Sequence, residues 1–179
     1  FPNKVITRIC GKPMLQYVWE SAKKSRCLDE VVVATDEQEI CDIVKSFGGK
    51  AILTPSDFET GTDRVAYVAA KSRAQIVVNL QGDEPLLPTS AIDKLVEALE
   101  QSENPIATLA VQKSNPTELR DPNVVKVLFS RSGQALFFSR HPLSAESNGV
   151  FFKHVGIYAF RAEALRNFCA LPVSRLEKT

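Results

Sequence analysis

The residues best suited to chemistry lie together in Asn79-Leu80-Gln81-Gly82-Asp83-Glu84-Pro85, directly after the β-branched run Ile76-Val77-Val78. A carboxylate at the carboxyl end of a buried strand can hold Mg2+, Gly82 allows a ligand to approach the backbone closely, and Pro85 stiffens the exit. The same residues also read as an ordinary Gly-Asp turn, so residue types alone leave two readings for Asp83. Lys4, ahead of Gly11-Lys12-Pro13-Met14, could face a triphosphate, although a loop lysine is usually just solvated. Thr60-Gly61-Thr62-Asp63-Arg64 offers hydroxyls, a flexible glycine and one guanidinium at a helix start, which suits the reading of a base and equally suits a helix cap. Cys10, Cys27, Cys41 and Cys169 are scattered without a C-x-x-C pair, and His141 and His154 are the only histidines. That inventory argues against zinc and for reduced thiols.

These groups need elements to position them, and apolar spacing supplies the outline. Leu15, Val18, Trp19 and Ala22 predict a helix over Met14 to Ser25 with Pro13 in its first turn. Val31 to Ala34 reads as a strand buried on both faces. Asp36 is expected to cap the next helix with Glu39 as its capping-box partner, ahead of the stripe Ile40, Ile43, Val44 and Phe47, and Gly48-Gly49 ends it. Strands follow at 51–53, 76–80 and 106–111, with helices through Val65 and Val68 and through Ile92, Leu95, Val96 and Leu99, the latter capped by Thr89 or Ser90. Strands alternating with helices imply an α/β fold, a mainly parallel sheet and ligands at the carboxyl ends of the strands. Beyond Val111 the pattern changes. Val124 to Leu128 and Ala135 to Phe138 flank Ser130-Arg131-Ser132-Gly133 as a β-hairpin, Phe151 to Phe160 returns as a strand, and Arg161 to Phe168 as a short helix. The sheet is therefore expected to be mixed in its second half.

Composition narrows the partners. Of 179 residues, 44% are hydrophobic and 24% charged, enough for a core in one domain. Twenty-two basic against 21 acidic residues, for a net charge of +1, provide no broad field for nucleic acid or an anionic membrane. Any anion must be held by a few placed residues. No apolar run reaches the roughly 20 residues that span a bilayer, and no signal-peptide pattern is expected. Neither common phosphate motif is present. Gly48-Gly49 follows a helix without G-x-G-x-x-G spacing, and Gly11-Lys12 leads into Pro13 rather than Ser or Thr.

Taken in order, several segments resemble those of the cytidylyltransferases that activate 3-deoxy-D-manno-octulosonate (Kdo). They are Phe1-Pro2-Asn3-Lys4 with Gly11-Lys12-Pro13-Met14, Val33-Ala34-Thr35-Asp36, Thr60-Gly61-Thr62-Asp63-Arg64, Val78 to Pro85, Asp121-Pro122-Asn123-Val124-Val125-Lys126-Val127, Phe137-Phe138-Ser139-Arg140, and His154-Val155-Gly156-Ile157-Tyr158. One such segment means little; all of them in this order are specific.

The resemblance implies a Rossmann-like nucleotidyltransferase fold over residues 1–179 and the reaction CTP plus Kdo giving CMP-Kdo and pyrophosphate, a step toward the lipopolysaccharide inner core. It implies Mg2+ as cofactor on Asp83, Lys4 on the phosphates, and Thr60, Gly61, Thr62 and Arg64 in the nucleotide loop. Gln81, Arg140, His154 and Tyr158 would meet the sugar acid, Arg140 as a fork for its carboxylate. By residue type alone, a half-buried strand edge is the better reading of His154 and Tyr158, and only the ordered match of segments favours a sugar contact. The family is expected to be homodimeric and cytoplasmic, with the hairpin from Val124 to Phe138 as contact surface. Its pattern further expects a strand and an Arg/Ser-rich loop before Phe1, a Glu-Gln pair and a second metal-binding Asp after Thr179, and a longer stretch between His141 and Gly149. The 179 residues alone are expected to be poorly folded and inactive. Two other readings remain open at this stage: a cytidylyltransferase for a related acidic sugar, such as an amino-substituted Kdo, and a binding module without catalysis.

Overall fold

The computed structural model describes residues 4–142, 149–172 and 174. Phe1-Pro2-Asn3, most of the 141–149 stretch and the Leu176 to Thr179 end lie outside the described residues. The chain forms two compact units, one made of Phe1–Ala107 with Tyr158–Thr179 and the other of Thr108–Ile157.

In the first unit a 3-10 turn, Lys4–Ile6, leads into a small antiparallel ribbon of β1 (Arg8–Ile9) and β2 (Lys12–Pro13). Cys10 and Gly11 both adopt positive φ, 48° and 85°, as a two-residue hairpin turn requires, and the Arg8 guanidinium ties the turn by donating to the Gly11 carbonyl at 2.8 Å. Helix α1 (Met14–Lys23) follows. Pro13, with ψ of 140°, is the last extended residue before α1 and not a residue of its first turn, because pairing with Arg8 holds it in the ribbon.

The parallel pair β3 (Val32–Thr35) and β4 (Lys50–Leu53) is connected by α2 (Gln38–Ser46). Leu15 of α1 packs with Ile40 and Val44 of α2, joined by Val5, Ile6, Val33 and Phe47. Each such buried aliphatic side chain stabilises the fold by about 1.5–3 kcal/mol. Next come α3 (Gly61–Ala69), β5 (Ile76–Asn79) and α4 (Thr89–Glu100), whose Ile92, Leu95, Val96 and Leu99 are buried as their spacing predicts.

Two expected caps are corrected. Helix α2 starts after Glu37, whose N–H is accepted by the Thr35 hydroxyl at 3.1 Å, and its N-terminus has no side-chain capping hydrogen bond; Asp36 is instead committed to Arg64. The N-cap position of α4 is Pro88, because the Thr89 hydroxyl donates to the Ser21 carbonyl at 2.9 Å and fastens α4 to α1. In both cases a long-range partner outcompetes the local cap.

Strand β6 (Ile106–Lys113) pairs with β9 (Phe151–Arg161), and each belongs in part to both units. In the first unit the carboxyl half of β9 pairs antiparallel with β5, Asn79 opposite Tyr158 and Ile76 opposite Arg161, before α6 (Ala162–Cys169). Against the mainly parallel sheet expected from the alternation of elements, parallel pairing is seen at β3–β4, which form a two-stranded sheet of their own, whereas β1–β2, β5–β9, β7–β8 and β7–β9 pair antiparallel.

The second unit holds α5 (Pro116–Arg120), which sequence periodicity missed although Asn115 caps it and Pro116 opens it. It also holds the expected hairpin, β7 (Lys126–Phe129) with β8 (Ala135–Ser139), closed by Ser130 N–H to the Gln134 carbonyl at 2.8 Å. Val124, Val127, Phe151 and Ile157 are its buried apolar residues. No helix among the described residues is long and apolar enough to cross a membrane.

Candidate active site

Asp83 sits where the alternation of elements puts it, in the turn that leaves the carboxyl end of β5. Glu84 N–H donates to the Gln81 carbonyl at 3.3 Å, so Gly82 and Asp83 occupy the centre of the turn. Gly82 matters here for packing: a Cβ on it would lie 3.2 Å from Val5 Cγ1 and 3.3 Å from Leu15 Cδ1, so the missing side chain lets the turn close on the core rather than on a ligand. Across 79 positions of sequence, Lys4 Nζ meets Asp83 Oδ2 at 2.8 Å. Hydrogen bonding to Asp83, then its charge, pushes the Lys4 ammonium pKa up, with Glu84 adding to the effect. An ammonium and a carboxylate that were singled out separately for phosphate and metal chemistry therefore share one exposed spot. Gln81 is exposed beside them.

The Thr60–Arg64 segment opens α3, and its capping reading holds for Thr60. The hydroxyl donates to Asp63 Oδ2 at 2.6 Å and accepts Asp63 N–H at 3.2 Å, while Thr60 N–H donates to Asp63 Oδ2, a complete capping box. That leaves the Gly61 and Thr62 amides, which precede any intrahelical acceptor, as the segment's main-chain donors. Thr62 Oγ1 accepts from the Asn79 amide at 3.3 Å, which fastens α3 to the end of β5. Arg64 is paired with Asp36 at the end of β3. The Arg64 hydrogen bond holds the Asp36 carboxyl below its ordinary range, and Asp36 raises the guanidinium in turn. A cavity of about 960 Å3 in this unit is lined by Gly61 and Arg64, by Gln81 and Gly82, and by a wall of valines that includes Val33, Val65, Val77 and Val78. Its walls are mostly aliphatic, so the polar chemistry rests on the residues named above.

Tyr158 belongs to this unit too. It lies opposite Asn79, two residues ahead of Gln81, half-buried, with its phenol pKa pushed up by burial and its ring 5.9 Å from that of Phe160.

Arg140 and His154 lie in the second unit. Arg140 follows β8, exposed, and its Nη1 donates to the Pro122 carbonyl at 3.0 Å. Beneath it is a residue that sequence reasoning missed. Lys126 is fully buried, and its ammonium donates to the carbonyls of Asp121, Val124 and Arg140 at 2.8, 2.9 and 2.8 Å, one for each N–H. The Asp121–Val124 turn and the backbone of Arg140 thus converge on one charge. The signal that could have found it is a lysine in phase with Val124 inside the otherwise apolar run Val124-Val125-Lys126-Val127-Leu128-Phe129. His154 is half-buried in β9 with Phe138 edge-on at 5.0 Å, and burial pushes its pKa below the ordinary value. Its Nε2 lies 2.9 Å from the hydroxyl of Thr108, another residue the sequence did not flag.

Among the described residues no cluster of three or more His, Cys, Asp or Glu side chains could form a metal cage. One exposed carboxylate does suit Mg2+, which keeps several waters and takes further ligands from substrate phosphates.

Comparison with known proteins extends this geometry. The family model described as "Cytidylyltransferase" matches residues 1–179. The chain is 41% identical over 195 aligned residues to the 3-deoxy-manno-octulosonate cytidylyltransferase of Thermodesulfovibrio yellowstonii, an alignment covering 99% of this chain and 76% of that protein. It is 44% identical over 191 residues to the enzyme of the same name from Syntrophotalea carbinolica, covering 99% and 76%. A solved structure of CMP:2-keto-3-deoxy-manno-octonic acid synthetase complexed with CTP superposes with a TM-score of 0.92 at 40% identity, covering 99% of this chain and 75% of that one. With a carboxylate and an ammonium paired at the end of β5, and relatives of this similarity along almost its whole length, the chain belongs to the 3-deoxy-manno-octulosonate cytidylyltransferase family.

Proposed function

We propose that the protein transfers a cytidylyl group from CTP to Kdo, releasing pyrophosphate and providing CMP-Kdo for the lipopolysaccharide inner core, with residues 1–179 acting as nucleotidyltransferase domain. The observation that carries this reading is the Lys4–Asp83 pair at the carboxyl end of β5 in a chain of this family. The sugar's anomeric hydroxyl attacks the α-phosphorus, the new O–P bond forms as the bond to pyrophosphate breaks, and the hydroxyl proton passes to solvent. No covalent enzyme intermediate is needed, so the residues contribute positioning and charge neutralisation.

Lys4 neutralises phosphate charge, and the Gly61 and Thr62 amides with Arg64 hold the nucleotide. Thr60 acts through the cap that presents those amides. Asp83 is the residue that would hold Mg2+, and the ion when bound supplies a Lewis acid for the charge developing on the phosphates. Gln81, Tyr158 and His154 hold sugar hydroxyls, and Arg140 takes the sugar carboxylate. The test is pyrophosphate release by enzyme made from its complete coding sequence, with CTP, Mg2+ and Kdo. CTP binding without release would favour a non-catalytic module, and faster release with another acidic sugar would replace Kdo as substrate.

Two further expectations follow from the second unit. Arg140→Lys should raise the KM for Kdo about tenfold while leaving that for CTP near wild type, because an ammonium cannot form the planar bidentate pair; equal effects on both substrates would make Arg140 structural. The hairpin displays Phe137 at 56% exposure beside its cross-strand partner Leu128 at 37%, an apolar face suited to a second copy of the chain, while Leu136 and Phe138 lie on the other face of β8. We take the protein to be a cytoplasmic homodimer through this face, so Phe137→Glu should shift it from dimer to monomer in analytical ultracentrifugation. A wild-type monomer at micromolar concentration would contradict the assignment.

A further inference from the structure

Thr108, on β6, brings one hydroxyl to three partners in the second unit. Its Oγ1 lies 2.7 Å from the Ile157 carbonyl oxygen, 2.9 Å from His154 Nε2 and 3.3 Å from the Val155 carbonyl oxygen. A hydroxyl has a single proton, and a carbonyl can only accept it. The shortest contact assigns that proton to Ile157. Oγ1 then faces Nε2 with a lone pair, and 2.9 Å is a hydrogen bond only if Nε2 carries a proton. We propose that Thr108 is a positioning residue that fixes His154 as the Nε2–H tautomer, so that Nδ1 is the accepting nitrogen and the ring is matched to a hydrogen-donating sugar hydroxyl.

The proposal rests on the reading of His154 as a sugar contact. Burial, which disfavours the charged ring, supports it independently, because only a neutral imidazole has a tautomer to fix. Phe138, edge-on to the ring, limits its rotation from another side. A ring held this way accepts at Nδ1 and cannot donate there, so it discriminates against a sugar whose corresponding group only accepts.

The chain's two histidines make the test direct. Ring 15N spectra near neutral pH, assigned with His141→Asn, should show His154 with a protonated Nε2 and an unprotonated Nδ1. In Thr108→Val, which keeps the shape and removes the hydroxyl, the two nitrogen signals should move toward each other as the tautomers mix. The KM for Kdo should rise about fivefold with that for CTP unchanged, the loss of one ordinary hydrogen bond. Thr108→Ser should restore the spectrum and the KM. A protonated Nδ1 in the wild type, or a wild-type ring spectrum in Thr108→Val, overturns the proposal. If the valine variant does not fold, the wild-type spectrum still decides. Ring signals that move without a change in the Kdo KM support the tautomer assignment and overturn instead the reading of His154 as a sugar contact.

Discussion

Asp83→Asn is expected to reduce kcat for pyrophosphate release by at least about a hundredfold, the scale of losing one preorganised electrostatic contact to the reacting phosphates. The substitution preserves volume and removes charge. Folding should be unaffected, because the Asp83 side chain is 40% exposed and its Lys4 partner 54%, and ion pairs so open to solvent contribute little to stability. The two measurements are steady-state release at saturating substrates and the thermal unfolding midpoint. A kcat near wild type would remove Asp83 from the reaction, and a lost activity matched by a lost folded fraction would make it structural.

Lys126→Met should have the largest effect on stability, about 3 kcal/mol or more in urea unfolding. Methionine fills similar space but leaves the carbonyls of Asp121, Val124 and Arg140 without their donor inside the protein. Release from burying an ammonium offsets part of that cost, which is why the loss should fall below the sum of three charged hydrogen bonds. Arginine should not rescue it, since a planar fork cannot donate in three diverging directions from one atom. Because the Arg140 carbonyl is one of the three acceptors, and the Arg140 side chain bonds Pro122 in the same turn, the variant should also weaken Kdo binding more than CTP binding. A loss below about 1 kcal/mol would mean that water replaces the ammonium without penalty.

Two corrected caps show how local signals fail. Asp36 has the right type and position to cap α2, yet pairs with Arg64 of α3, 28 residues on. Thr89 has the right type to cap α4, yet its hydroxyl reaches α1. A cap contributes about 1 kcal/mol, and a partner brought in by packing can outbid it. Conversely, the Thr60–Asp63 box is formed within four residues, and local chemistry sufficed there.

The helices and strands were legible because periodicities of 3.6 and 2 are properties of the chain itself. Residue order likewise pointed to Asp83, Lys4, Arg140 and His154 as groups with chemistry to do. What the linear order does not contain is which of them touch. Lys4 meets Asp83 only because β5 ends beside the turn after Phe1–Asn3, and Thr108 meets His154 only because β6 pairs with β9. Lys126 looks like one more strand residue until three carbonyls from separate positions converge on it. Side-chain type is local, but hydrogen-bond satisfaction in a low-dielectric interior depends on atoms that only tertiary packing brings together.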